Sequence, residues 1–146
     1  MTRPEAPPPM PLPDNALHGG WRLDSFVARD DAGHTRYPLG RRPRGLILYT
    51  GDGWMSAQLA PDPSGGADEI GDYIAYGGRF HVDAAAGTVR HDVVMATMPD
   101  LIAQPQLRQY EIDGDVLTLS ATMTDDSGST HSTLVWRRDS DPTERR

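Results

Sequence analysis

The chain of 146 residues has no cysteine and no lysine. Without cysteine there is no disulfide, no thiol nucleophile and no thiolate metal site. Without lysine there is no Schiff base to a carbonyl substrate and no phosphate-binding loop of the Walker type. All 14 basic residues are arginine, which together with much alanine, glycine and proline points to a GC-rich genome. No apolar run approaches the roughly 20 residues of a membrane helix, and "MTRPEAPPPMPLPD" lacks the apolar centre of a signal peptide. A cytoplasmic location is therefore expected. The net charge of −7 argues against nucleic acid and against anionic membrane surfaces as partners.

What is present is a regular punctuation of aspartate and glycine: "DDAG" at 30–33, "GDG" at 51–53, "DAAAG" at 83–87, "DGD" at 113–115 and "DDSG" at 125–128. These residues tolerate the positive φ of tight hairpins. Between them, two-residue alternation predicts strands near 20–29, 34–37, 45–50, 54–60, 73–83, 87–96, 106–113, 115–124 and 130–138. A short helix is expected only within 67–73, and 61–70 and 97–105 read as long connections. Three segments follow: a proline-rich disordered tail over 1–14, one domain over 15–138, and a mobile C-terminal tail over 139–146. The expected fold is all-β, a single up-and-down antiparallel barrel of about eight or nine strands with a central ligand cavity. A sandwich is the alternative.

Alternation also assigns faces. Trp21, Leu23, Ser25 and Val27 share one side. Met55, Ala57 and Leu59 form a second row, and Ile74, Tyr76, Gly78, Phe80 and Val82 a third. Val89, His91, Val93 and Met95 follow, then Arg108, Tyr110 and Ile112. Leu117, Leu119, Ala121 and Met123 precede Leu134, Trp136 and Arg138. A bulge at Gly77-Gly78 would flip part of its strand. Over 45–50 either Leu46 and Leu48 or Ile47 and Tyr49 point inward. The pocket lining expected from these rows is Ser25, Met55, Phe80, Val93, Met95, Leu119, Met123, Leu134 and Trp136.

Gly19-Gly20-Trp21 fits the G-x-W signature that opens the first strand of lipocalins. With "RGLILYTGDGWMSAQL", "YIAYGGRFHVD", "GTVRHDV" and "STLVWRR", the chain resembles the bacterial and fungal lipocalin-like domain family over roughly 17–138. The resemblance implies a calycin-type barrel with a cavity. It also implies that Trp21 is covered by an arginine at the end of the last strand, Arg137 or Arg138. Relatives of this architecture include natural-product cyclases, so the fold implies no single activity.

Five residues are candidates for chemistry: His91, Arg108, Tyr76, Tyr110 and Tyr49. An inward His91 is either an acid/base group or a buried histidine satisfied by a neighbour. An inward Arg108 needs an anionic partner, a bound carboxylate or enolate, unless it extends to the barrel mouth. The tyrosines offer hydroxyls on apolar bodies, and Met55, Met95, Met98 and Met123 an adaptable lining or plain core. No metal motif and no dinucleotide motif is present, so no metal and no cofactor is expected. The function read from this is binding of a small hydrophobic organic molecule. The leading form is a cofactor-independent cyclase or isomerase of a polyketide-like or terpenoid-like pathway in secondary metabolism. A non-catalytic carrier is the alternative, and a homodimer stays open.

Overall fold

The hairpins close where the aspartate–glycine pairs fall, with Gly87 and Gly114 at φ of 69° and 59° in two of the turns. The computed structural model describes residues 14–63 and 73–138. The strands are β1 (Gly19–Asp30), β2 (Thr35–Arg36), β3 (Arg44–Tyr49), β4 (Trp54–Ala60) and β5 (Ile74–Asp83), then β6 (Thr88–Ala96), β7 (Gln106–Asp113), β8 (Val116–Asp125) and β9 (Gly128–Arg137). Every neighbouring pair is antiparallel. β9 pairs back onto β1, so β1 and β3 to β9 form a closed barrel of eight strands. The two-residue β2 lies outside that circle, against the far end of β1. Closure removes the free sheet edges, which a meander of alternating strands otherwise exposes.

Two irregularities change which side chains face inward. The β1–β9 register shifts between Leu23 and Ser25. Trp21 and Leu23 are buried before the shift, but after it Ala28 is buried and Phe26 packs on the core. Ser25 and Val27 therefore face outward, and Ser25 is not a cavity residue. The second shift lies opposite Gly77 and Gly78, as the glycine pair predicted, but the extra residue is Val94 in β6. Gly78 is required there: a Cβ at this position would collide with the Asp92 carbonyl oxygen. The bulge turns Met95 to the outer face, where it is 74% exposed beside a 63% exposed Val94. The expectation that Met95 lines the pocket fails for this reason: an inserted residue reverses every later side chain in its strand.

In β3 the inward pair is Ile47 and Tyr49, while Leu46 and Leu48 are exposed. The helix expected at 67–73 falls, apart from Tyr73, outside the described residues. A single helical turn, α1 (Asp100–Ala103), occupies the connection after β6 instead. No helix among the described residues is long and apolar enough to cross a membrane.

One end of the barrel is closed. A 3-10 turn (Asp14–Leu17) brings Leu17 under the sheet, where it is fully buried. The Trp21 indole nitrogen donates to the Leu17 carbonyl at 3.0 Å. The Arg138 guanidinium lies over the Trp21 ring, 4.0 Å from its centroid, and donates to the carbonyls of Ala16 and His18 at 3.0 and 3.1 Å. Arg138 is thus the covering arginine. Arg137, the other candidate, points outward and meets Asp24 at 3.4 Å. Gly19 adopts a φ of 118°, open to glycine and strained for other residues.

Candidate functional site

The other end is open. A cavity of about 230 Å³ lies inside the barrel there. Leu59 of β4 and Ile74 and Tyr76 of β5 form one side; Leu119, Ala121 and Met123 of β8, Ser132, Leu134 and Trp136 of β9, and Phe26 of β1, paired with Leu134, form the other. Met98 and Leu101, in and beside α1, border it. His91 and Arg108 are titratable side chains on this otherwise largely apolar wall.

The polar groups are linked. His91 is fully buried, and its Nε2 lies 2.7 Å from the Tyr49 hydroxyl. With the hydroxyl as donor, the proton of the neutral imidazole sits on Nδ1. The Nδ1 atom is buried and has no partner among the described residues. Burial, reinforced by the Arg108 guanidinium and opposed by Asp92, pushes the His91 pKa down to about 3. His91 is therefore neutral near pH 7 and acts as a hydrogen-bonding group rather than a reservoir of charge. Tyr76 packs with its ring centroid 6.0 Å from His91, and burial raises its pKa while Arg108 lowers it less. Burial likewise raises Tyr49, with a further push from Tyr76. Both phenols stay protonated at neutral pH.

Arg108 sits on the inner face because it pairs with the buried Val89 in the β6–β7 register. Its guanidinium donates to the Leu107 carbonyl at 3.0 Å and to Gln106 Oε1 at 3.1 Å. Gln106 is itself tied to the carbonyls of Leu101 and Gln104, at 3.3 and 2.9 Å. The arginine is thus braced through Gln106 against the turn at the cavity rim.

Of the five chemical candidates, the structure brings Tyr76, His91 and Arg108 to the cavity wall, with Tyr49 directly behind His91. Tyr110 is buried but does not line the cavity. Of the expected lining, Leu119, Met123, Leu134 and Trp136 are in place. Met55, Phe80 and Val93 are buried elsewhere, Phe80 with its ring edge-on to Tyr49 at 4.8 Å. Phe26 was hidden from the sequence pattern by the β1 bulge. Leu101 was hidden in a connection, although the apolar pair Leu101-Ile102 after Pro99-Asp100 is a signal for a short amphipathic turn. Ser132 faces inward opposite Ala121. The Trp136 indole nitrogen is buried without a partner among the described residues.

An outer depression of about 440 Å³ lies against Arg22, Arg44 and Leu46, and none of the five chemical candidates reaches it. No cluster of three or more acidic or imidazole side chains suited to a metal occurs among the described residues.

The tryptophan–arginine closure, the eight-stranded closed meander and the one-ended cavity coincide with a family match. The model of the lipocalin-like domain matches residues 18–139. The chain belongs to the lipocalin-like domain family. The match spans all eight barrel strands and ends just beyond Arg138, so the closing pair and the cavity both fall within the family domain. A lipocalin-like barrel supports small-molecule binding in general. No curated protein matches the chain.

Proposed function

We propose that this lipocalin-like protein takes one small, mostly apolar organic molecule into the open end of its barrel and acts on it as a cofactor-independent cyclase or isomerase. The observation that carries this reading is the convergence of Tyr76, His91 and Arg108 on one apolar cavity. A binding site needs apolar walls and a few fixed polar contacts. Two neutral hydrogen-bonding groups beside a cation do more: they stabilise negative charge developing on a carbonyl oxygen, and they are already oriented before the substrate arrives. Confinement supplies the rest, by holding a flexible substrate in a reactive shape. The volume, below the roughly 300–1,000 Å³ of many ligand pockets, fits a molecule of about one or two rings. Such a size agrees with a terpenoid-like or small polyketide-like substrate.

The carrier reading has one specific observation in its favour. A histidine whose pKa lies near 3 is a poor base at neutral pH, so His91 does not readily take a proton from carbon. Exchange of protons next to a carbonyl separates the two. A bicyclic ketone such as 2-decalone is incubated with the protein in deuterium oxide and followed by proton NMR. The enzyme reading, in which solvent deuteroxide takes the proton from carbon while Tyr76 and Arg108 stabilise the enolate, expects faster loss of the α-proton signals with wild type than with Tyr76→Phe. Binding of the ketone without faster exchange supports the carrier.

A further inference from the structure

The chemistry of the molecule's polar end follows from Arg108, given the small-molecule reading above. Arg108 lines the cavity, and no described carboxylate lies within ion-pair distance of it. The nearest acidic residues by strand position are turned away. Asp92, the strand neighbour of His91, faces out to Arg90 at 2.9 Å and His81 at 3.1 Å. Glu111 of β7 is exposed on the outer face. The protein acceptors that Arg108 does have, the Leu107 carbonyl and Gln106 Oε1, are neutral. They fix the guanidinium plane without neutralising it. The field of the charge reaches the interior, since it acts on His91, Tyr49 and Tyr76. A half-buried cation, braced by neutral acceptors beside an apolar cavity, is well placed to hold an anion that enters it.

We infer that Arg108 is the seat for a carboxylate, and that the cavity's occupant is a small monocarboxylic acid with its hydrocarbon body against Phe26, Leu119 and Leu134. The planar fork of arginine matches a carboxylate, and charge-assisted bonds of this kind are about twice as strong as neutral ones. The Tyr76 hydroxyl, still protonated, is the second donor within the same cavity. The protein as a whole is acidic, with a net charge of −7. Its overall field repels anions, so any preference for one reports a local cation.

Calorimetric titration of the full chain with octanoate and with octanamide tests this. The two share a hydrocarbon chain and differ in charge. Wild type is expected to bind octanoate at least tenfold more tightly. Arg108→Gln is expected to bring the two within about threefold by weakening octanoate alone, and Arg108→Lys to keep part of the preference. Equal affinity of wild type for both probes overturns the carboxylate seat and leaves the small-molecule cavity standing. So does an Arg108→Gln variant that loses both equally. Failure of wild type to bind either overturns the seat and the cavity reading together. Should Arg108→Gln not fold, the wild-type preference and its reduction in Arg108→Lys decide the matter.

Discussion

At the closed end of the barrel, Trp21 is held at its indole nitrogen by the Leu17 carbonyl and over its ring by the Arg138 guanidinium, and Leu17, Ile47, Leu117 and Trp136 join it in the core almost without exposure. At the open end, the same alternating strands present Ala121, Ser132 and a 61% exposed Met123 around a space. The strand pattern is alike at both ends, so alternation does not decide which end is filled. Side-chain size does, and so does the covering segment. Two tryptophans and a tucked 3-10 turn fill one end. The other has small residues, methionines and a single turn of helix at its rim. Stability and binding are thereby separated along one axis, and variants at the two ends are expected to behave differently.

The largest effect belongs to Trp21. Trp21→Ala is expected to cost about 3–5 kcal/mol of unfolding free energy in urea, the range for large aromatic deletions in a packed core. Leu134→Ala, on the cavity wall, borders existing space and is expected to cost less than half as much. Equal losses would break the division between a packed end and an open one.

The two terminal arginines sharpen it further. Arg138→Ala removes a cation over an indole and two bonds to carbonyls, which predicts a loss of about 2 kcal/mol. Arg137→Ala removes only a half-exposed pair with Asp24, expected to be worth about 0–1 kcal/mol. Thermal or urea melts of the two single variants check the ranking, and a reversal would move the closing role to Arg137.

Between the two ends lies His91, and its titration is read as a slope of stability against pH. The folded pKa of about 3 stands below the ordinary 6.5 of the unfolded chain. Between those values the unfolded chain holds the extra proton. Stability therefore rises with pH across the window, is complete above about 6.5 and is lost as pH falls toward 3. The slope reaches at most about 1.4 kcal/mol per pH unit. Asp30, Asp92 and Asp125 are lowered from 3.8, so their contributions begin to fall away below about pH 5. The interval from about pH 5 to 6.5 accordingly reports His91. His91→Phe should flatten it, and a slope unchanged in that variant would assign it to another group.

The barrel was legible because hairpin turns and two-residue alternation are local. Each predicted strand has its counterpart, with no end moved by more than two residues. The tryptophan–arginine closure was legible only through the family resemblance carried by the first and last strands, and only the structure separates Arg138 from Arg137. The lining was partly obscured by two register shifts, each of which reverses a face without changing composition. Alternation alone turns Ser25 and Met95 inward for that reason and leaves Phe26 facing out. The Gly77-Gly78 pair announced one bulge, but not that the extra residue would sit across the sheet at Val94. No comparable signal marks the shift beside Asp24. His91 and Arg108 were readable as inward, whereas the Tyr49–His91 bond joins residues 42 apart and depends on barrel closure.

The smallest expected change in stability comes with the largest change in occupancy. Ala121 faces the cavity opposite Ser132, so Ala121→Leu extends a side chain into open space rather than into a neighbour. Filling such space typically changes stability by about 0.5–2 kcal/mol in the favourable direction, and overpacking acts the other way. A net effect within about 1 kcal/mol is expected. An environment-sensitive hydrophobic dye should bind wild type saturably at about one per barrel and should lose most of its affinity for Ala121→Leu. The outer face supplies the control. Met95→Ala removes the most exposed of the large apolar side chains there, and dye binding should be unchanged. If Ala121→Leu binds dye like wild type while Met95→Ala does not, the apolar site lies on the outside of β6, and the open end is only a loosely packed rim.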